Sequence, residues 1–182
     1  MTRAEEDSRF AIDLLAQDVS EALARQQSED TQFNRRVVVR ALFSLLEAYG
    51  YFIRQFCLEI EHEKVRKGHP SNLERQVLLQ ERLPRIGSNG RIEHTPHRVG
   101  TADHLAFTLR VFADHAGVRA NFFDREGWKA LKGALQVRHR LTHPKERSDV
   151  EVSNADMELC AKGYAWFGEV QLDDIASSVA KR

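Results

Sequence analysis

The run Arg138-His139-Arg140-Leu141-Thr142-His143-Pro144-Lys145 sets two imidazoles and three cationic side chains within eight residues. Histidine takes up and releases protons near neutral pH. A guanidinium keeps its charge at any physiological pH and matches the oxygen geometry of a phosphate. Phosphodiester transfer asks for these parts: an acceptor for the proton of an attacking hydroxyl, a donor for the leaving oxygen, and a cation for the charge that develops between them.

On a helix wheel at about 100° per residue, Trp128, Ala130, Leu131, Ala134, Leu135 and Leu141 form one apolar arc with Arg138 near its centre. A guanidinium is costly to bury unpaired, so Arg138 must meet a carboxylate, a cleft or an anionic ligand. His139 lies at the edge of that arc, and His143 follows one turn later on the same side, directly before Pro144. Proline biases the residue before it away from helical geometry. His143 is therefore expected at the helix C-terminus, where the macrodipole favours an imidazolium. Five positions turn Arg138 and His143 roughly 140° from each other, so one helix converges them poorly. Two copies meeting on a two-fold axis would pool them in a shared cleft. Arg140 points outward on the wheel and, with Lys132 and Lys145, is a candidate contact for a phosphate backbone.

The elements that must position these residues are helical. Apolar residues at three- and four-residue spacing predict helices over about 5–26, 31–67, 71–83, 101–115 and 125–143, and a last one from Ser153 or Asn154 through Phe167. Ser71 and Asp124 are placed as N-caps, and Gly68-His69-Pro70 and Gly117 as stops. No strand is convincing. The segment from Pro84 to Gly100, PRIGSNGRIEHTPHRVG, reads as one long connecting loop. The expected architecture is a single all-α, up-and-down bundle of five to six helices. On the second helix Arg36, Arg40, Glu47 and Arg54 read as a solvated face, with Glu47 the candidate partner for Arg138.

Arg138-x4-His143, preceded by Trp128-Lys129-Ala130-Leu131 and followed by Pro144-Lys145, resembles the signature of the HEPN superfamily (higher eukaryotes and prokaryotes nucleotide-binding domains). In that family the arginine is typically followed by a polar residue, the place His139 fills. The resemblance implies a helical bundle and a metal-independent endoribonuclease, commonly dimeric, in toxin–antitoxin or phage-defence settings. Carried over, Arg138 would bind the scissile phosphate, His143 would be the general acid/base and His139 would assist. The implied partners are RNA, a second copy of the chain and an antitoxin or other protein; no cofactor or metal is implied. Relatives paired with a nucleotidyltransferase antitoxin often carry Tyr two places after the histidine, where this chain has Lys145. Other relatives are non-catalytic scaffolds.

Composition is compatible with that reading. Lys+Arg and Asp+Glu stand at 27 each in 182 residues, so any nucleic-acid surface must be local. Residues 85–147 hold twelve Lys/Arg against six Asp/Glu and six of the eight histidines. Two cysteines, Cys57 and Cys160, make neither a disulfide framework nor a thiolate metal site, as expected of a cytoplasmic protein. No membrane span or export signal is expected. Gly-rich phosphate loops, nucleophile elbows and helix-turn-helix signatures are absent.

Plainer readings stand beside these. Arg138 would form a structural ion pair with Glu47 or Glu59 in a non-catalytic dimerisation, nucleic-acid- or protein-binding module. His143 would merely cap carbonyls. His94 and His97 would begin a metal site with His104 or His62, or simply be solvated. Tyr49, Tyr51, Phe52 and Phe56 would be core or helix-packing residues rather than base-stacking ones, and Trp166 and Phe167 would be core.

Overall fold

A computed structural model describes residues 3–59, 71–79, 82–96, 99–116, 123 and 126–170. The protein is all-α, with six helices among these residues: α1 (Arg3–Ser28), α2 (Gln32–Glu59), α3 (Asn72–Leu78), α4 (Thr101–Ala116), α5 (Glu126–Thr142) and α6 (Asn154–Glu169). Two starts are written in local chemistry. The Ser71 hydroxyl accepts from Glu74 N–H while Glu74 accepts from Ser71 N–H, and Ser153 and Asp156 repeat the arrangement on α6. Each capping box satisfies two backbone donors that the helix leaves orphaned. The cap expected of Asp124, and the stops at 68–70 and Gly117, lie outside the described residues.

The expectation of a strandless connection after α3 is corrected. Strands β1 (Arg82–Ile86) and β2 (Ile92–Pro96) pair antiparallel, Ile86 opposite Ile92 and Arg85 opposite Glu93. Ser88-Asn89-Gly90 makes the turn: Gly90 N–H donates to Gly87 O and Gly90 has φ 72°, a backbone that glycine adopts without strain. An ion pair of 2.9 Å joins Arg85 to Glu93 across the strands. Ile86 and Ile92 remain exposed.

The chain divides into two compact units, residues 1–51 with 121–182 and residues 52–120, with the boundary inside α2. In the first, α1 buries Ile12, Val19 and Ala22. Phe10 projects to the side of the wheel opposite this face and Leu14 lies off its edge, and both stay exposed. From α2, the Arg35 guanidinium binds Asp30, Val152 O and Asn154, and Arg36 donates to Val150 O, which ties down the chain ahead of α6. Helices α5 and α6 lie against each other at Gly163, where a Cβ would sit 2.7 Å from Leu131 Cα. The core there is aromatic, with Trp128 and Trp166 ring centres 5.3 Å apart and Tyr49 edge-on to Phe167 at 5.9 Å. Trp166 and Phe167 are core residues, as expected.

The second unit buries Ile53 and Cys57 of α2, Leu78 of α3, and Leu105, Leu109 and Phe112 of α4. Full burial of such a side chain is worth about 1.5–3 kcal/mol. His104, almost wholly buried, bridges the three helices: its Nε2 lies 3.1 Å from Val77 O and its Nδ1 2.9 Å from Arg54 Nη1. Arg54 is thus engaged and not simply part of a solvated face. Among the described residues no helix is long and apolar enough to cross a membrane.

Candidate functional site

Arg138 occupies the centre of the buried arc of α5, between Ala134 and Leu141, with Val137 beside it. Its side chain is nonetheless 32% exposed, because it runs along an open cleft beside α2. The cleft, about 440 Å³, is lined by Val39, Arg40, Phe43, Ser44 and Glu47 of α2 and by Arg138, Leu141 and Thr142 of α5. Arg138 Nη2 donates to Glu47 Oε1 at 2.7 Å. Glu47 is therefore the partner of Arg138, while the side chain of Glu59, the other carboxylate considered, lies outside the described residues. Among the described residues this is the one hydrogen bond of the Arg138 side chain, which leaves most of its five guanidinium donors available there.

Helix α5 ends as Pro144 requires. Thr142 is its last residue, its hydroxyl donating to Arg138 O at 2.8 Å, and His143 N–H closes the final turn on His139 O at 3.0 Å. Both histidines are exposed, their ring centres 5.2 Å apart and tilted by 58°. Neither lines the cleft that holds Arg138. Within one chain the motif is split: a cation and its carboxylate in a groove, and an imidazole pair around the side of the helix.

The outward-pointing role expected of Arg140 is corrected. Its Nη2 lies 2.6 Å from Asp156 Oδ2, and its Nη1 donates to Asp149 O at 3.0 Å and to Glu151 O. It holds a single 3₁₀ turn (Arg147–Val150) and the start of α6 against α5. The wheel gives the direction in which the side chain leaves the helix, but its length carries the guanidinium back over the edge to these carbonyls. Burial pushes the Asp156 carboxyl up, but hydrogen bonds from the Ser153 N–H and hydroxyl and from Arg140 outweigh it and hold it below the usual carboxylate range. Asp149 is held low by the Lys145 and Glu146 N–H groups. Lys145 and Lys132 are exposed, the latter with Nζ 5.9 Å from the Trp128 ring centre.

The loop histidines do not assemble. His94 is exposed on β2, His104 is buried in α4, and His97 and His62 lie outside the described residues. Among the described residues no group of three or more His, Cys, Asp or Glu side chains is placed to hold a metal ion. Cys57 and Cys160 are buried and free, their thiols pushed up by that burial to about 12 and about 11.

No family model, curated protein or solved structure matches this chain. Sequence spacing read Arg40 as part of a solvated face and did not single out Ser44 or Thr142, although Arg40, Ser44 and Glu47 recur at the four- and three-residue steps that make one helical stripe.

Proposed function

We propose that this protein is a metal-independent endoribonuclease of HEPN type, acting as a homodimer whose shared cleft unites Arg138 of one copy with His143 and His139 of the other. The observation that carries the reading is the state of Arg138: a guanidinium at the centre of an apolar helix face, oriented by Glu47 and open to a cleft of nucleotide size. An arginine kept only for packing has no need of that opening. In the reaction a 2′-hydroxyl attacks the adjacent phosphorus, the new O2′–P bond forms and the P–O5′ bond breaks, and the products are a 2′,3′-cyclic phosphate and a 5′-hydroxyl. Arg138 holds the phosphate oxygens as charge builds on them. His143 carries the proton, assisted by His139, and both imidazoles are exposed and within a turn of each other. A toxin or defence role, with an antitoxin or other partner protein, accords with such an activity, as does a cytoplasmic setting.

One observation favours a second reading. The Glu47–Arg138 pair cancels charge within the cleft, as it would in a non-catalytic dimerisation or binding module where Arg138 is structural. The deciding experiment incubates purified protein with total RNA in excess chelator beside His143→Ala, and reads cleavage and cyclic-phosphate ends. Chelator-resistant cleavage that is lost in the variant is the expected result. No cleavage by a confirmed dimer across several pH values transfers the assignment to the binding module.

A further inference from the structure

Resting on the ribonuclease reading, we propose that Arg40 and Ser44 form a second phosphate subsite beside Arg138, so that the cleft grips two neighbouring phosphates of one RNA strand. Arg40 is exposed, lines the cleft, and among the described residues makes no hydrogen bond or ion pair. The Ser44 hydroxyl, one turn further along the same face, is likewise uncommitted among them. Every other long cation of this stretch of α2 is spent on structure: Arg35 on Asp30 and the Val152 carbonyl, Arg36 on the Val150 carbonyl. Arg40, by contrast, lines the cleft.

The spacing suits a strand. Arg40 and Glu47 are seven residues apart, about 10 Å along the helix, and Glu47 marks the level at which Arg138 enters from α5. Arg40 and Arg138 thus belong to levels about two helical turns apart along α2, with Ser44 between them, and two side chains of this length reaching inward can each take one of two neighbouring phosphates. The floor of Val39, Phe43 and Leu141 offers apolar surface to a sugar or base edge. The charge balance also points to an anion, since the lining holds Arg40 and Arg138 against one carboxylate, Glu47. Arg138 acts on the reacting phosphate; Arg40 is a positioning residue for its neighbour.

The test uses fluorescein-labelled 2′-O-methyl hexauridylate, which has no attacking hydroxyl and reports binding without cleavage. Binding by wild-type protein, Arg40→Ala, Arg40→Lys and Arg25→Ala is followed by anisotropy over a range of salt. Arg25, exposed on α1 and outside the cleft, controls for loss of one positive charge. Arg40→Ala is expected to weaken binding about tenfold and to lower the salt slope by about one phosphate contact. Arg40→Lys should recover the slope, and Arg25→Ala should stay within about twofold of wild type. With cleavable RNA, Arg40→Ala should raise KM and leave kcat within a few-fold. Arg40→Ala binding no worse than Arg25→Ala, or no hexamer binding by the wild type, overturns the subsite. Arg40-dependent binding by a protein that cuts no RNA leaves the subsite standing and removes the nuclease.

Discussion

Glu47 Oε1 and Arg138 Nη2 meet at 2.7 Å although the residues are 91 positions apart, and both side chains stay partly exposed, at 42% and 32%. That combination separates two roles one ion pair can play. A pair so open to water is screened, and exposed pairs contribute about 0–1 kcal/mol. In the proposed nuclease its use would be to hold the guanidinium in one orientation at the cleft.

Glu47→Gln is therefore expected to change unfolding free energy by less than about 1 kcal/mol, read by urea denaturation, while RNA cleavage falls by roughly one to two orders of magnitude through loss of orientation. Arg138→Ala should abolish cleavage with a similarly small loss of stability. A stability loss of several kcal/mol in either variant, with no effect on cleavage, would make the pair a structural strut.

Arg140, one step past His139, is the structural arginine of the same helix. Its guanidinium serves Asp156 and the carbonyls of residues 149 and 151. Arg140→Ala leaves partly buried acceptors unsatisfied and an unpaired carboxylate at the start of α6, and should cost about 2–4 kcal/mol. Asp156→Ala removes both the ion pair and half of a capping box and should cost about as much. A double mutant much less destabilised than the sum of the two singles would show that they act as one unit. If Arg140→Ala were as stable as wild type and merely bound RNA less well, the outward-facing arginine expected of the wheel would stand after all.

These two arginines mark how far the sequence carries. Ser71 with Glu74 and Ser153 with Asp156 are legible because a cap is settled within four residues, and Pro144 ends α5 for an equally local reason. The placement of Arg138 on the buried arc follows from periodicity alone, and with it the need for a partner. The fate of Arg140 does not, since its partners arrive from a segment whose path depends on Arg35 and Arg36 far upstream. The hairpin was hidden by Pro84 and the glycines, which read as breakers, although Asn89-Gly90 between Ile86 and Ile92 is the short-range turn signal. The Arg40–Ser44 side of the cleft was hidden because a polar helical stripe looks the same whether it faces solvent or a groove.

Acid should unfold the protein through its depressed carboxyls. Asp30, hydrogen-bonded by Arg35 Nε at 2.6 Å and by Gln26, is held at about 2, and Asp149 and Asp156 also lie below their ordinary value. A carboxyl lower in the folded than in the unfolded state gives stability that is complete above the unfolded value, about 3.9. That stability is lost as pH falls through the folded value. Melting temperature should thus decline between about pH 4 and about pH 2, and Asp30→Asn should flatten part of that decline. A melting temperature independent of pH over this window would remove these carboxyls from the account.

Gly163 offers the sharpest test of the α5–α6 contact. Glycine inside a helix costs about 1 kcal/mol relative to alanine, so Gly163→Ala would stabilise an isolated α6. In the folded protein the added methyl would stand 2.7 Å from Leu131 Cα and 2.9 Å from Leu131 N. Backbone cannot yield as a flexible side chain does, and the helices must separate. Overpacking of this kind costs about 1–3 kcal/mol or more, which outweighs the propensity gain. Gly168→Ala, on the same helix with open space around it, carries the gain without the clash. Urea denaturation should therefore find Gly163→Ala destabilised and Gly168→Ala neutral or slightly more stable, and stabilisation of both would mean that α5 and α6 do not approach this closely.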